Sequence, residues 1–243
     1  MKRITLHILL TSLIILSCSG LSGTSIRAKY VSDISGRDDT LEITAENAGS
    51  ILKKHTIEFT IPNPLFGEDG RERRFDPNHE STINCRAVLL DDFSSEADMT
   101  VQSSADSLDG DGLAEFRAKY IEDNIREGMF RIRLEMESGF SERSLDPEHW
   151  AMYLENSSGV MIEPFEIESS IVSANQDSVY STYYDRNFAR KLLNGEISLY
   201  FKKMTFFGED LLDGDNRYIV LVISRNKRTV ARVAWEVSKE DEL

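Results

Sequence analysis

Positive charge, cysteine, histidine and long apolar runs are all scarce in this 243-residue chain, and each scarcity removes a class of explanation. Two cysteines are too few for a disulfide scaffold, and a chain of this length buries enough core to fold without covalent staples. His7, His55, His79 and His149 are too dispersed for the metalloprotease spacing H-E-x-x-H. Beyond residue 17 no apolar run approaches the roughly 20 residues of a membrane-spanning helix. With 28 basic against 42 acidic residues, the formal net charge is −14. That balance argues against nucleic acid, whose phosphates require a basic surface, and against electrostatic binding to anionic lipid headgroups. The chain also lacks a G-x-S-x-G elbow, a P-loop and a G-x-G-x-x-G fingerprint.

What is present at the start is an export signal. Lys2 and Arg3 precede the apolar segment from Ile4 to Leu16, and small residues follow. Ile15, Leu16 and Ser17 directly before Cys18 resemble the lipobox of bacterial lipoproteins, with Ile15 where leucine is usual. The resemblance covers only about the first twenty residues. It implies cleavage before Cys18, a diacylglycerol on its sulfur and acylation of its new amino group, and several acyl chains hold a protein stably to a membrane. Losing residues 1–17 removes two positive charges and no negative ones, so −14 becomes −16. The lipid, not the surface charge, would then be the anchor. The alternatives are a non-lipidated signal with an incidental cysteine, or a disulfide from Cys18 to Cys85. Alternation in "TINCRAVLL" turns Cys85 toward a core, which disfavours the disulfide. Ser19 after the cysteine favours the outer membrane under the sorting rule of enteric bacteria.

Residues 19–25, "SGLSGTS", form a polar tether. Period-two alternation then predicts strands from Ile57 to Ile61, broken by "PNPLFGEDG", and in "TINCRAVLL", "MFRIRLEMES" and "HWAMYLEN"; "EISLYF", "RYIVLVI" and "TVARVAWEV" supply three more, the last two joined at hairpin length by "SRNKR". In "MFRIRLEMES" the residues Arg131, Arg133, Glu135 and Glu137 all point to one side, which reads as a wet face. Residues 91–112 have the Ser, Asp and Gly composition of a loop. A helix is expected from residue 113 to 125, capped by Asp111 and closed by Gly128, with a short second helix at 186–194. Frequent turns and little helix predict a mainly β fold, an antiparallel immunoglobulin-like β-sandwich with one or two short helices and Trp235 in its core. The expected divisions are a signal peptide (1–17), a lipidated cysteine and tether (18–25), an N-terminal β-rich region (26–112), and a helix with a C-terminal sandwich (113–243). "EFTIPNPLFGEDG" and "LYFKKMTFFGEDLLDG" share a strand followed by Phe-Gly-Glu-Asp, which suggests two related halves.

Candidate chemistry is sparse. "SILK", Ser50 to Lys53, matches the S-x-x-K of penicillin-recognising serine enzymes, but S-D-N and K-T-G are missing. Asp109 and Asp111, with Asp213 and Asp215, place carboxylates around glycine turns where calcium finds oxygen ligands; neither segment fits an EF-hand, and a solvated acidic turn is the plainer reading. "KEDEL" at the C-terminus and the sequon at Asn156 sketch a eukaryotic lumenal protein, a reading that fits Cys18 less well. Tyr180, Tyr183, Tyr184 and Phe188 crowd into nine residues and are the candidate ligand-binding aromatics, for sugar or protein. The expectation is a lipid-anchored bacterial cell-envelope protein with a non-catalytic binding or structural role. It needs no cofactor, is held to the membrane through Cys18, and contacts an envelope protein or glycan with the loops at one end of the sandwich. An exported hydrolase using acidic residues, with or without calcium, is the alternative.

Overall fold

The computed structural model describes residues 28–35, 40–62, 82–138, 145–173, 193–205, 208, 210–212, 216–225 and 227–237. In chain order they form β1 (Tyr30–Asp33), α1 (Ala48–His55), β2 (Thr56–Pro62), β3 (Thr82–Leu90), α2 (Asp92–Ala105), α3 (Gly110–Asn124) and β4 (Met129–Ser138). After a short 3-10 turn at Pro147–His149 come β5 (Ala151–Asn156), β6 (Met161–Ile162), β7 (Glu166–Ser173), β8 (Leu193–Lys202), β9 (Tyr218–Arg225) and β10 (Arg228–Glu236). The fold is mainly β, in two five-stranded sheets ordered β1-β10-β9-β5-β6 and β2-β3-β4-β8-β7. Every ladder is antiparallel except β1 with β10.

Alternation selects the faces as the sequence predicts. Ile57, Phe59 and Ile61 on β2, Ile83, Cys85, Ala87 and Leu89 on β3, and Phe130, Ile132, Leu134 and Met136 on β4 turn to one side of the second sheet. They share one buried cluster with Trp150, Met152 and Leu154, the odd-numbered apolar residues of β9, and Val233 and Trp235 of β10 from the first sheet. Trp235 is fully buried, and its indole N–H donates to the carbonyl of His55 at 2.9 Å, tying the last strand to the end of α1. β3 and β4 pair with each other, so sheet and core both continue across residue 112. "EFTIP" and "LYFKK" become β2 and β8 of the same sheet.

The helices depart from expectation. The polar stretch after residue 91 is not a loop but α2, fourteen residues long and opened by a reciprocal cap. The Asp91 carboxylate accepts from the Ser94 amide, and the Asp91 amide donates to the Ser94 hydroxyl, both at 2.8 Å. α3 begins earlier than expected, with Asp109 rather than Asp111 at its N-cap and Ile125 at its C-cap. Gly128 does adopt left-handed backbone (φ +69°), in the turn into β4 rather than at the helix end. Asn194 and Gly195 lie within strand β8; residues 186–192 fall outside the described part. Three helices among the described residues therefore replace one or two, and they cover the end of the second sheet's outer face where β3 finishes and β4 begins. Val88 and Leu90 of β3 are buried there beneath Ile51, Leu52 and Ala97.

Candidate functional site

The uncovered end of that same face forms a groove of about 730 Å³. Strand alternation lines it with Glu58 and Thr60 from β2, Asn84 and Arg86 from β3, and Glu135 and Glu137 from β4. Asn194 and Glu196 of β8 and Ser170 of β7 complete the far wall. Tyr30 stands at the β2 rim with its ring 5.6 Å from Phe59, and its hydroxyl ionises more readily than usual because Lys29 and then Thr60 hydrogen-bond to it. Glu135 and Glu196 sit directly opposite each other on neighbouring strands. Like charges in that position repel; here Arg86, 3.2 Å from Glu135, and the Arg133 Nε, 3.1 Å from it, supply the compensating charge. Four carboxylates, two amides and one guanidinium thus line an open, hydrogen-bonding surface at the end of the sheet where β2 leads into β3 and β7 into β8.

Next to the groove, under α2 and α3, lies a buried ionic cluster. The expectation of a wet face fails at Arg131 and Arg133, which are 4% and 9% exposed. Arg133 donates twice to the Asp98 carboxylate, at 2.6 and 2.8 Å. Tyr120 donates to the same carboxylate at 2.7 Å and Gln102 at 2.9 Å, while Arg131 stands 3.8 Å away and donates to Asn124. Burial by itself would lower the Arg133 pKa; the Asp98 hydrogen bonds and charge outweigh it, so the guanidinium is held in its charged form. Burial, and then the neighbouring Asp98, push the Tyr120 hydroxyl above its ordinary range. Just past the other end of α3, Arg126 donates to Glu168 of β7 at 2.9 Å, and Tyr200 donates to that same Glu168 at 3.0 Å. α2 is therefore fastened to the sheet by charge as well as by apolar packing, and the end of α3 by charge.

The predicted site residues distribute unevenly. Asp109 and Asp111 lie exposed at the start of α3, where negative charge opposes the positive end of the helix dipole. Among the described residues no group of three or more His, Cys, Asp or Glu side chains is placed to hold a metal ion. Cys18, the aromatic group Tyr180, Tyr183, Tyr184 and Phe188, and the acidic pair Asp213 and Asp215 lie outside the described residues. Cys85 is a free, buried thiol, pushed up to about 12 by desolvation. Ser50 donates to the Asn47 carbonyl at the start of α1. Asn156 is buried, and its side-chain oxygen accepts from the amides of Ser158 and Val160, so the sequon asparagine builds the turn between β5 and β6. Sequence reasoning missed the groove because its residues come from six separate segments. The signal available was the row of outward carboxylates in "RIRLEMES". No family model matches the chain, and no curated protein matches it.

Proposed function

We propose that this is a lipid-anchored bacterial cell-envelope protein with a non-catalytic binding role, and that the groove on the second sheet is where it holds its ligand. The observation that carries the reading is the groove itself: a concave strand surface whose carboxylates and amides suit the hydroxyls of a glycan or the basic side chains of a protein. Its wall is preorganised, since Glu135 is fixed by two arginines before any ligand arrives. The architecture is read as an antiparallel immunoglobulin-like sandwich, supported by the core shared between the sheets and by the antiparallel ladders. Anchoring is assigned to acyl chains on Cys18, which would leave the folded part outside the bilayer, on the periplasmic or external face of the outer membrane. No helix among the described residues is long and apolar enough to cross a membrane.

The facing pair Glu135 and Glu196 supports a second reading, an exported hydrolase using acidic residues. Titration of the full chain with soluble envelope glycan fragments separates the two, wild type against Glu135→Gln and Glu196→Gln. A parallel titration uses a basic peptide, and binding of either probe without turnover that weakens in both variants supports the binding role. Cleaved fragments that disappear in the variants would establish the hydrolase, and failure to bind glycan or basic peptide would remove the groove as the site.

A further inference from the structure

The edge that β7 gives to the second sheet is unlike the other edges among the described residues. β1 has four residues and β6 two, too short to template another chain. β2, at the opposite edge of the same sheet, ends in Pro62 and lies against β1. β7 runs for eight residues, "EIESSIVS", with no proline or lysine, and pairs with β8 without a register shift. Its outer side has no strand partner among the described residues. Sheets normally blunt such an edge with proline, charged side chains, a bulge or a covering element, because a row of free N–H and C=O groups recruits another strand; the charges on β7 are Glu166 and Glu168, both ion-paired to Arg126 of the same chain.

The side chains there are equally unguarded. Ile167 and Ile171 share a face with Leu199 and Gly195 of β8, the face that turns toward the core, yet they are 48% and 38% exposed. The opposite sheet ends on this side in the two-residue β6, too short to cover them. Met161, in β6, and Phe165, the residue before β7, are both 61% exposed, with the Lys202 ammonium 4.8 Å from the Phe165 ring.

From this edge we infer a homotypic docking site: a second copy of the chain pairs antiparallel with β7 about a two-fold axis at Ser169. Register selects that axis. Pairing Ser169 with its own copy sets Ile167 opposite Ile171 on the apolar face and Glu168 opposite Ser170 on the other, so no like charges meet. Moving the axis one residue back sets Glu168 against Glu168, which is destabilising. Glu166 and Glu168 also each have Arg126 of their own chain as an ion-pair partner, which reduces their repulsion toward a second copy. The paired edges would join two five-stranded sheets into one of ten strands. Two strands and a short apolar strip fall at the small end of specific interfaces, so the association is weak and concentration-dependent. The acidic net charge opposes approach of two copies, so added salt strengthens the dimer by screening.

Sedimentation velocity of the full chain in detergent solution, over a concentration series and at two salt concentrations, tests this. A reversible dimer strengthened by salt is expected, and it should be lost in Ile167→Lys and in Ile171→Lys, both exposed positions whose folding circular dichroism checks. Ser169→Cys supplies the register test independently of those variants. Paired strands bring the two Cα atoms to about 4.5–5.5 Å, within disulfide range. Mild oxidation should therefore link Ser169→Cys chains into dimers above the background set by the wild-type chain, in which Cys85 is buried. A chain monomeric at every concentration and unlinked by Ser169→Cys overturns the inference. So does a dimer indifferent to all three substitutions, or a Ser169→Cys chain that links only to a different protein.

Discussion

Replacing Asp98 with asparagine keeps the side chain's shape and removes one buried negative charge. In the native protein that charge answers Arg133 through two short hydrogen bonds and Arg131 at 3.8 Å, and it also accepts from Tyr120 and Gln102. The Asp98, Arg131 and Arg133 side chains are 3, 5 and 10% exposed, so water cannot replace the lost partner. Removing one member of such a buried pair costs about 3–5 kcal/mol, because the remaining charge stays desolvated. A typical domain holds only about 5–15 kcal/mol in total. With a fall in Tm of roughly 2–4 °C per kcal/mol for a chain of this size, Asp98→Asn should melt about 6–20 °C below wild type. Urea unfolding should report the same loss as a lower midpoint at unchanged m value. Replacing the whole cluster with apolar residues of similar volume (Asp98→Leu, Arg131→Met and Arg133→Met together) should recover most of the loss, since the pair's favourable energy is largely offset by its desolvation. A loss below about 1 kcal/mol for Asp98→Asn, the scale of a surface ion pair, would refute the buried-cluster reasoning.

Other perturbations act at separate places. A Cβ at Gly195 would stand 3.1 Å from the Leu145 Cβ, so Gly195→Ala should cost about 1–3 kcal/mol in urea unfolding, and measurably less in a Leu145→Ala background where the neighbour is gone. Alkaline stability is set by groups whose folded pKa is raised. The Cys85 thiol ionises from its ordinary 9.0 when unfolded but only near about 12 when folded, so its contribution is complete below pH 9 and is lost as pH climbs toward 12. Each such group adds a slope of at most about 1.4 kcal/mol per pH unit. Cys85→Ala should flatten the decline between pH 9 and 10, where Tyr120 and Tyr200, also raised, do not yet contribute. Trp235→Phe deletes the indole donor to the His55 carbonyl and should destabilise the end of α1, seen as faster amide hydrogen exchange over residues 48–55 than in the rest of the chain.

Most strands were legible from an apolar face set against a polar one; β1, β6 and β7 were not predicted. β2, β3, β4 and β10 follow the period-two pattern, whereas β9 is a short unbroken apolar run, "IVLVI", buried on both faces. α2 was illegible for a physical reason: its buried face includes Ser94, Ser95, Asp98 and Ser103, polar residues packed toward a sheet face that itself carries buried arginines. No apolar period can reveal a helix of that kind. The trace it did leave was the cap, Asp91 with Ser94 three residues on. The same pairing explains the misplaced wet face, because Arg131 and Arg133 are covered only once α2 delivers Asp98. The groove depended in turn on register, since alternation alone sends Glu135 outward but only the pairing of β4 with β8 sets it against Glu196.

The most direct test of the envelope assignment is the intact mass of the protein purified from membranes of its native host, beside a Cys18→Ala variant. The expected wild-type chain begins at Cys18 and carries the added mass of acyl chains, with the variant unmodified and absent from the membrane fraction. A wild-type chain that begins elsewhere, carries no lipid and is released by salt would contradict it.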